Sequence, residues 1–217
     1  MTTLIVGLIG QKFSGKSTFV KIAREVAPHL AISHLKNSDI LTAMLREGSI
    51  PITNINLHKV ANFMRQEFGD HSLANAMKER VGRELKQNTQ GIIFLDGLRW
   101  DADIELLRSY TLNRLVYITT DDLDQLVKRA HNRRERPDEA GMSTAILAKL
   151  RMNSTEADIA RLGAQADYTI PNNRSEADFY LAVSALMQEI LQVRMQAFST
   201  MITPLDTPLP WRRGSTF

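Results

Sequence analysis

Eight residues near the amino end, Gly10-Gln-Lys-Phe-Ser-Gly15-Lys16-Ser17, place glycine, lysine and a hydroxyl at the spacing G-x-x-x-x-G-K-[ST]. Glycines at both ends let the main chain curl until successive N–H groups point at one spot. A helix starting just after adds its partial positive charge there. That is a cradle for phosphate oxygens. Its lining would come from Gly10, Phe13, Ser14, Gly15, Lys16, Ser17 and Thr18. With ATP bound, Lys16 would bridge the β- and γ-phosphates and Ser17 would ligate Mg²⁺. The flanking pattern agrees, because an apolar run precedes the loop and a helix-forming stretch follows it.

A second acid-bearing turn follows Ile92-Ile-Phe-Leu95, where Asp96 is expected to ligate Mg²⁺, directly or through water. A third cluster is Arg129, Arg133, Arg134 and Arg136, ahead of Pro137. Phosphoryl transfer rests on positioning and charge neutralisation, so guanidinium groups beside a phosphate cradle read as a closing lid. Arg129 and Arg133 sit i, i+4 apart and share a helix face. Arg129 is assigned to the nucleotide and Arg133 to the transferred phosphoryl group.

These groups need a scaffold. Leu4–Ile9 and Ile92–Leu95 are unbroken apolar runs, the pattern of strands buried on both faces. Ala31–Leu35, Leu115–Ile118 and Tyr168–Ile170 are further strand candidates. Helices are expected from Lys16 to Val26, from an Asn37 or Ser38 cap to Leu45, and as a pair over residues 55–88 meeting near Gly69. Others open at Asp101 or Asp103, near Asp122, over residues 143–162, and from Glu176 to about Met195. Strands alternating with helices predict an α/β doubly wound, five-stranded parallel sheet. In such sheets ligands lie beyond the carboxyl ends of the strands. The cradle, Asp39 and Asp96 should therefore converge.

Composition narrows the chemistry. The chain has 217 residues and no cysteine, which excludes disulfides, thiolate catalysis and Cys-ligated zinc. Its five histidines lack metal-ligand spacing. The net charge of +3 is mild, and the arginines are clustered rather than spread in a stripe, so a nucleic-acid partner is not expected. No apolar run approaches the ~20 residues that span a bilayer, and a cytoplasmic protein is expected. There is no Asn-Lys-x-Asp stretch for reading guanine, which leaves a compact kinase.

These ordered blocks resemble the adenylate-kinase-like P-loop family. The nearest branch holds dephospho-CoA kinase, phage-type deoxynucleoside monophosphate kinases and an uncharacterised archaeal nucleotide-kinase-like group. The resemblance spans roughly residues 3–190. It rests on the loop at 10–17, Asp39 before Leu45-Arg46-Glu47, Met64–Gly69, Leu95–Arg99, the arginines at 129–136 and Ala166–Asn173. It implies that Asp39 lies near the acceptor and can take a proton from a hydroxyl. It also implies that Arg46 grips an acceptor phosphate, as Arg65 or Arg99 could, and that Asn172 packs near the ATP adenine. For each arginine the competing reading is a surface ion pair. Gly97-Leu98-Arg99 replaces the Pro-Leu-Leu run of dephospho-CoA kinases, which tilts the expectation towards a nucleoside monophosphate kinase.

The expectation is thus a nucleoside monophosphate kinase-like P-loop domain over residues 1–202, with an acceptor-binding helical region at about 38–88 and an Arg-rich lid at about 129–145. The tail at 203–217, with three prolines, is an appendage or an oligomer contact. ATP and Mg²⁺ are the expected cofactors, and a nucleotide-type small molecule the expected acceptor. The alternatives are dephospho-CoA kinase, or an ATP-binding regulatory module without efficient transfer.

Overall fold

The computed structural model describes residues 3–87, 89–152 and 158–202, with side chains to residue 197; the 203–217 tail lies outside the described residues. Five parallel strands form one sheet: β1 (Leu4–Ile9), β2 (Ala31–Lys36), β3 (Gly91–Asp96), β4 (Asn113–Thr119) and β5 (Tyr168–Pro171), in the order β2-β3-β1-β4-β5. The expected α/β class and strand number are observed.

Alternation along the strands divides the core, since successive side chains point to opposite faces. Leu4, Val6 and Leu8 of β1 meet Ile92 and Phe94 of β3 on one face. There they pack against Phe19, Val20, Ile22 and Ala23 of α1 (Lys16–Val26) and Val183, Leu186, Met187 and Ile190 of the closing helix. Phe19 and Phe94 meet edge to face at 5.8 Å between ring centroids. Ile5, Ile9, Ile93 and Leu95 face the other way, onto α4 (Ser72–Gln87) and α5 (Asp101–Arg108). A side chain at Gly7 would come within 2.7 Å of Leu98 and closer still to Leu107, so α5 can press onto β1 only because no Cβ stands there.

Two smaller clusters build the rims. Leu41 and Leu45 of α2 (Asn37–Glu47), Leu57 and Ala61 of α3 (Asn54–Phe68), Leu73 and Trp100 form one. Phe13 joins Leu126 and Ala130 of α6 (Leu123–Arg133), Met142, and Leu147 and Leu150 of α7 (Thr144–Arg151) in the other.

The structure corrects two expectations. Helix α2 starts at Asn37, with Lys36 at its N-cap and no capping side chain, because the Asn37 amide is directed instead at Gly97 O (3.2 Å). The stretch expected as one helix over 143–162 is broken. Helix α7 ends at Arg151 with Met152 as its C-cap, and a separate α8 covers Ile159–Gly163; residues 153–157 lie outside the described residues. The closing helix, α9, runs Glu176–Ile202, beyond the expected end. No helix among the described residues is long and apolar enough to cross a membrane.

Candidate active site

The loop between β1 and α1 bends as its sequence requires. Gly15 adopts φ 106° and Phe13 φ 63°, both in the left-handed region. A Cβ on Gly15 would stand 2.5 Å from Asn172 Nδ2, so any other residue there would be strained and would also clash. Phe13 accepts the unusual conformation because its side chain is buried in the cluster of α6 and α7. Lys16 arches back over the loop, donating to Gly10 O (2.8 Å) and Gln11 O (2.9 Å).

The loop is braced from behind. Asn172, buried just beyond β5, donates from Nδ2 to Ser14 O (2.8 Å). Its own Oδ1 and main-chain oxygen accept from Arg129 (2.8 and 3.0 Å). Arg129 also reaches Phe13 O at 3.4 Å. Arg129 and Asn172, both expected at the nucleotide, thus brace the loop, and neither is among the residues lining the cavity beside it.

That cavity, about 180 Å³, lies beyond the carboxyl ends of β1, β2 and β3. Gly15, Lys16 and Ser17 form one end. Asp96 and Arg99 form the floor, and Arg133 and Arg136 approach from the end of α6 and the segment after it. The apolar wall is Leu41, Leu57, Ala61, Leu73 and Trp100.

Asp96 ends β3, and its Oδ2 lies 3.0 Å from His34 Nε2 on β2. Burial alone would raise its pKa, but the hydrogen bond from His34 and the charges of Lys16 and Lys36 outweigh it, holding the carboxyl below its ordinary range. Asp96 is thus an anion beside Lys16. Arg99 is aimed by the turn between β3 and α5. Buried Asp103 accepts from the N–H groups of Arg99 (2.8 Å) and Trp100 (3.1 Å), while Arg99 Nη1 donates to Gly10 O (2.8 Å). Burial raises the Asp103 carboxyl pKa despite these bonds.

At the end of α6, Arg133 pairs with Glu139 and Glu135, and its guanidinium stacks 4.8 Å over the Phe13 ring. Glu139 is fully buried; burial opposes its charge, but the Arg133 hydrogen bond and charge keep its pKa lowered. His58 of α3 faces Lys12, Arg99 and Arg136. Burial first, then those three cations, lower its pKa from 6.5 to about 3.

Three expected acceptor residues are not brought to the cavity. Asp39 is half exposed and lies 3.7 Å from Arg80. Arg46 is exposed at the far end of α2. Arg65 bonds to Asp70 (2.5 Å) and lies 5.8 Å over the outer side of Trp100. The physical reason is helix phase. Asn37, Leu41 and Leu45 recur every four residues and take the inner face of α2, so Asp39 and Arg46 are turned away. Thr18 is likewise exposed and off the cavity wall. Of the expected set, the cavity gathers Phe13, Gly15, Lys16, Ser17, Asp96, Arg99 and Arg133, while Gly10 and Ser14 are not among its lining residues. It also gathers Lys12, Lys36, Asn37, His58 and Arg136. Lys12 could have been suspected from its place inside the glycine motif; Lys36, Asn37 and His58 carry no such signal.

No family model matches the chain. A UPF0200 protein of Methanoregula boonei is 28% identical over 150 residues, covering 67% of this chain and 75% of its own length. A UPF0200 protein of Methanocaldococcus jannaschii is 24% identical over 188 residues, covering 87% of this chain and 91% of its own. Neither name states an activity. Among solved structures, shikimate kinase from Bacteroides thetaiotaomicron superposes with a TM-score of 0.53 at 15% identity, over 87% of this chain and 98% of that one. The fold is that of the P-loop kinases.

Proposed function

We propose that the chain is an ATP-dependent phosphotransferase acting on a nucleotide-type acceptor, foremost a nucleoside or deoxynucleoside monophosphate. The observation that carries this reading is the meeting of Lys16, Ser17, Asp96, Arg99, Arg133 and Arg136 around one cavity. A phosphate cradle alone binds nucleotide. The same cradle facing an anionic carboxylate and guanidinium groups from two other segments is arranged to move a phosphoryl group.

The donor set suits Mg²⁺, because a hydroxyl and a carboxylate that stays ionised are hard oxygen ligands lining the same cavity. Bound Mg-ATP would supply the transferable phosphoryl group with part of its charge already neutralised. The main chain from Gly10 to Ser17 would hold the phosphate oxygens, and Lys16 would exchange its bonds to Gly10 O and Gln11 O for the β- and γ-phosphates. Asp96, its orientation fixed by His34, would keep one carboxylate oxygen for the metal site. Arg99 and the lid arginines would neutralise charge on the phosphoryl group in transit. The acceptor would lie against Leu41, Leu57, Ala61 and Leu73 of the helical region at 38–88, with Trp100 completing that wall.

The test is ADP release by the full chain with Mg-ATP and each common ribo- and deoxynucleoside monophosphate, with dephospho-CoA alongside. Turnover dependent on a monophosphate is expected. Turnover with dephospho-CoA alone would move the assignment to that acceptor, and slow hydrolysis indifferent to all of them would favour a nucleotide-binding regulatory module.

A further inference from the structure

Asn54 is fully buried at the first turn of α3, and every polar group of its amide is engaged. Its Oδ1 accepts from Lys12 Nζ in the phosphate loop (3.1 Å) and from Arg136 Nη1 in the lid (2.7 Å). Its Nδ2 donates to Asp138 Oδ1 (3.0 Å), and its backbone N–H to Asp138 Oδ2 (2.8 Å). Three segments far apart in sequence thus meet on one uncharged side chain. The amide can sit only one way round, because a flip would turn its N–H groups towards two cations and its oxygen towards a carboxylate.

The choice of an amide has a chemical consequence. A carboxylate at this point would also collect Lys12 and Arg136, but it would neutralise them. The amide oxygen gathers both without adding a negative charge of its own, so the anions around Arg136 at the cavity remain Glu139, 3.9 Å away, and the nearby Glu135 and Asp138.

We infer that Asn54 is a positioning residue for phosphoryl transfer, one that sets Lys12 and Arg136 side by side and fastens the lid through Asp138. The inference rests on the kinase reading above for its catalytic half and on geometry alone for its lid half. Asn54 touches no reacting atom; it acts through the two cations and through the closed position of residues 134–142.

Two variants of the full chain test it, Asn54→Ala and the exchange Asn54→Asp with Asp138→Asn. Amide hydrogen exchange reads the lid, and acceptor-dependent against acceptor-independent ADP release reads the chemistry. Asn54→Ala should speed exchange over 134–142 by about tenfold or more, with β1 and β3 unchanged. Acceptor-dependent turnover should fall by about 100-fold, more in kcat than in KM for ATP. The exchanged pair rebuilds the clasp with donor and acceptor reversed, so lid exchange should return to within about threefold of wild type. Transfer should stay low, because Lys12 and Arg136 then share a carboxylate. Unchanged lid exchange in Asn54→Ala would overturn the inference, as would wild-type transfer by the exchanged pair. A wild-type chain inert towards every acceptor would instead sink the kinase reading, while the exchange data would still decide whether Asn54 clamps the lid.

Discussion

His58 gives the sharpest quantitative test, because its ionisation is opposed by its surroundings. Burial and the charges of Lys12, Arg99 and Arg136 place its folded pKa at about 3, against 6.5 for a free imidazole. The sign follows from proton counting. Below pH 6.5 the unfolded chain takes up a proton at this position and the folded chain does not, so stability falls as pH falls, until the folded state itself titrates near pH 3. At pH 5 the unfolded form has gained about 2 kcal/mol from this one group, worth roughly 4–8 °C in Tm for a chain of this size. The perturbation is His58→Gln, which removes the titration and keeps a polar side chain. Urea unfolding of wild type and variant at pH 7 and pH 5 provides four free energies. The variant should be less sensitive to acid by about 2 kcal/mol, whatever its absolute stability. Equal pH dependence in the two proteins would refute the claim that three cations and burial keep this ring neutral.

Other outcomes follow from the same geometry. Lys16→Ala should lower ATP turnover by at least about 100-fold, measured as ADP release, because it removes the ammonium that arches over the loop. Gly15→Ala should abolish measurable Mg-ATP binding in calorimetry, since the φ of 106° and the close approach of Asn172 Nδ2 both reject a methyl group. Asn172→Ala should cost about 1–3 kcal/mol in urea unfolding by leaving Ser14 O without its donor, and should weaken ATP binding without removing any cavity-lining group.

What the sequence reveals here depends on how far apart the interacting residues lie. Strand β1 and the loop after it are legible because strand, cradle and helix are contiguous, and a strand buried on both faces must be apolar throughout. The same holds for β3 with Asp96. The apolar wall of the cavity is harder to read. Asp39 stands near the end of a strand, as an acid near an acceptor should, yet helix α2 begins at Asn37 and its phase turns Asp39 towards Arg80. A start one or two residues later would have changed that outcome, and propensity alone does not locate a helix start so finely. Bonds such as His34 to Asp96, Lys12 to Asn54 and Asn172 to Ser14 span 62, 42 and 158 residues. They arise from strand order and loop closure, which leave no local trace. Arg129 shows the converse: its position in a basic cluster is plain, but its bracing of the loop through Asn172 is visible only in the structure.

The phenyl ring of Phe13 ties the loop after β1 to α6 and α7. It is the loop's own plug in the small apolar nucleus shared with Leu126, Ala130, Met142, Leu147 and Leu150. Swinging α6 and α7 outward would either pull that plug into water, costing about 1.5–3 kcal/mol for a side chain of its size, or drag the loop along. Any shift of those two helices is thereby geared to the loop, and shaving the ring to alanine would let the two drift independently.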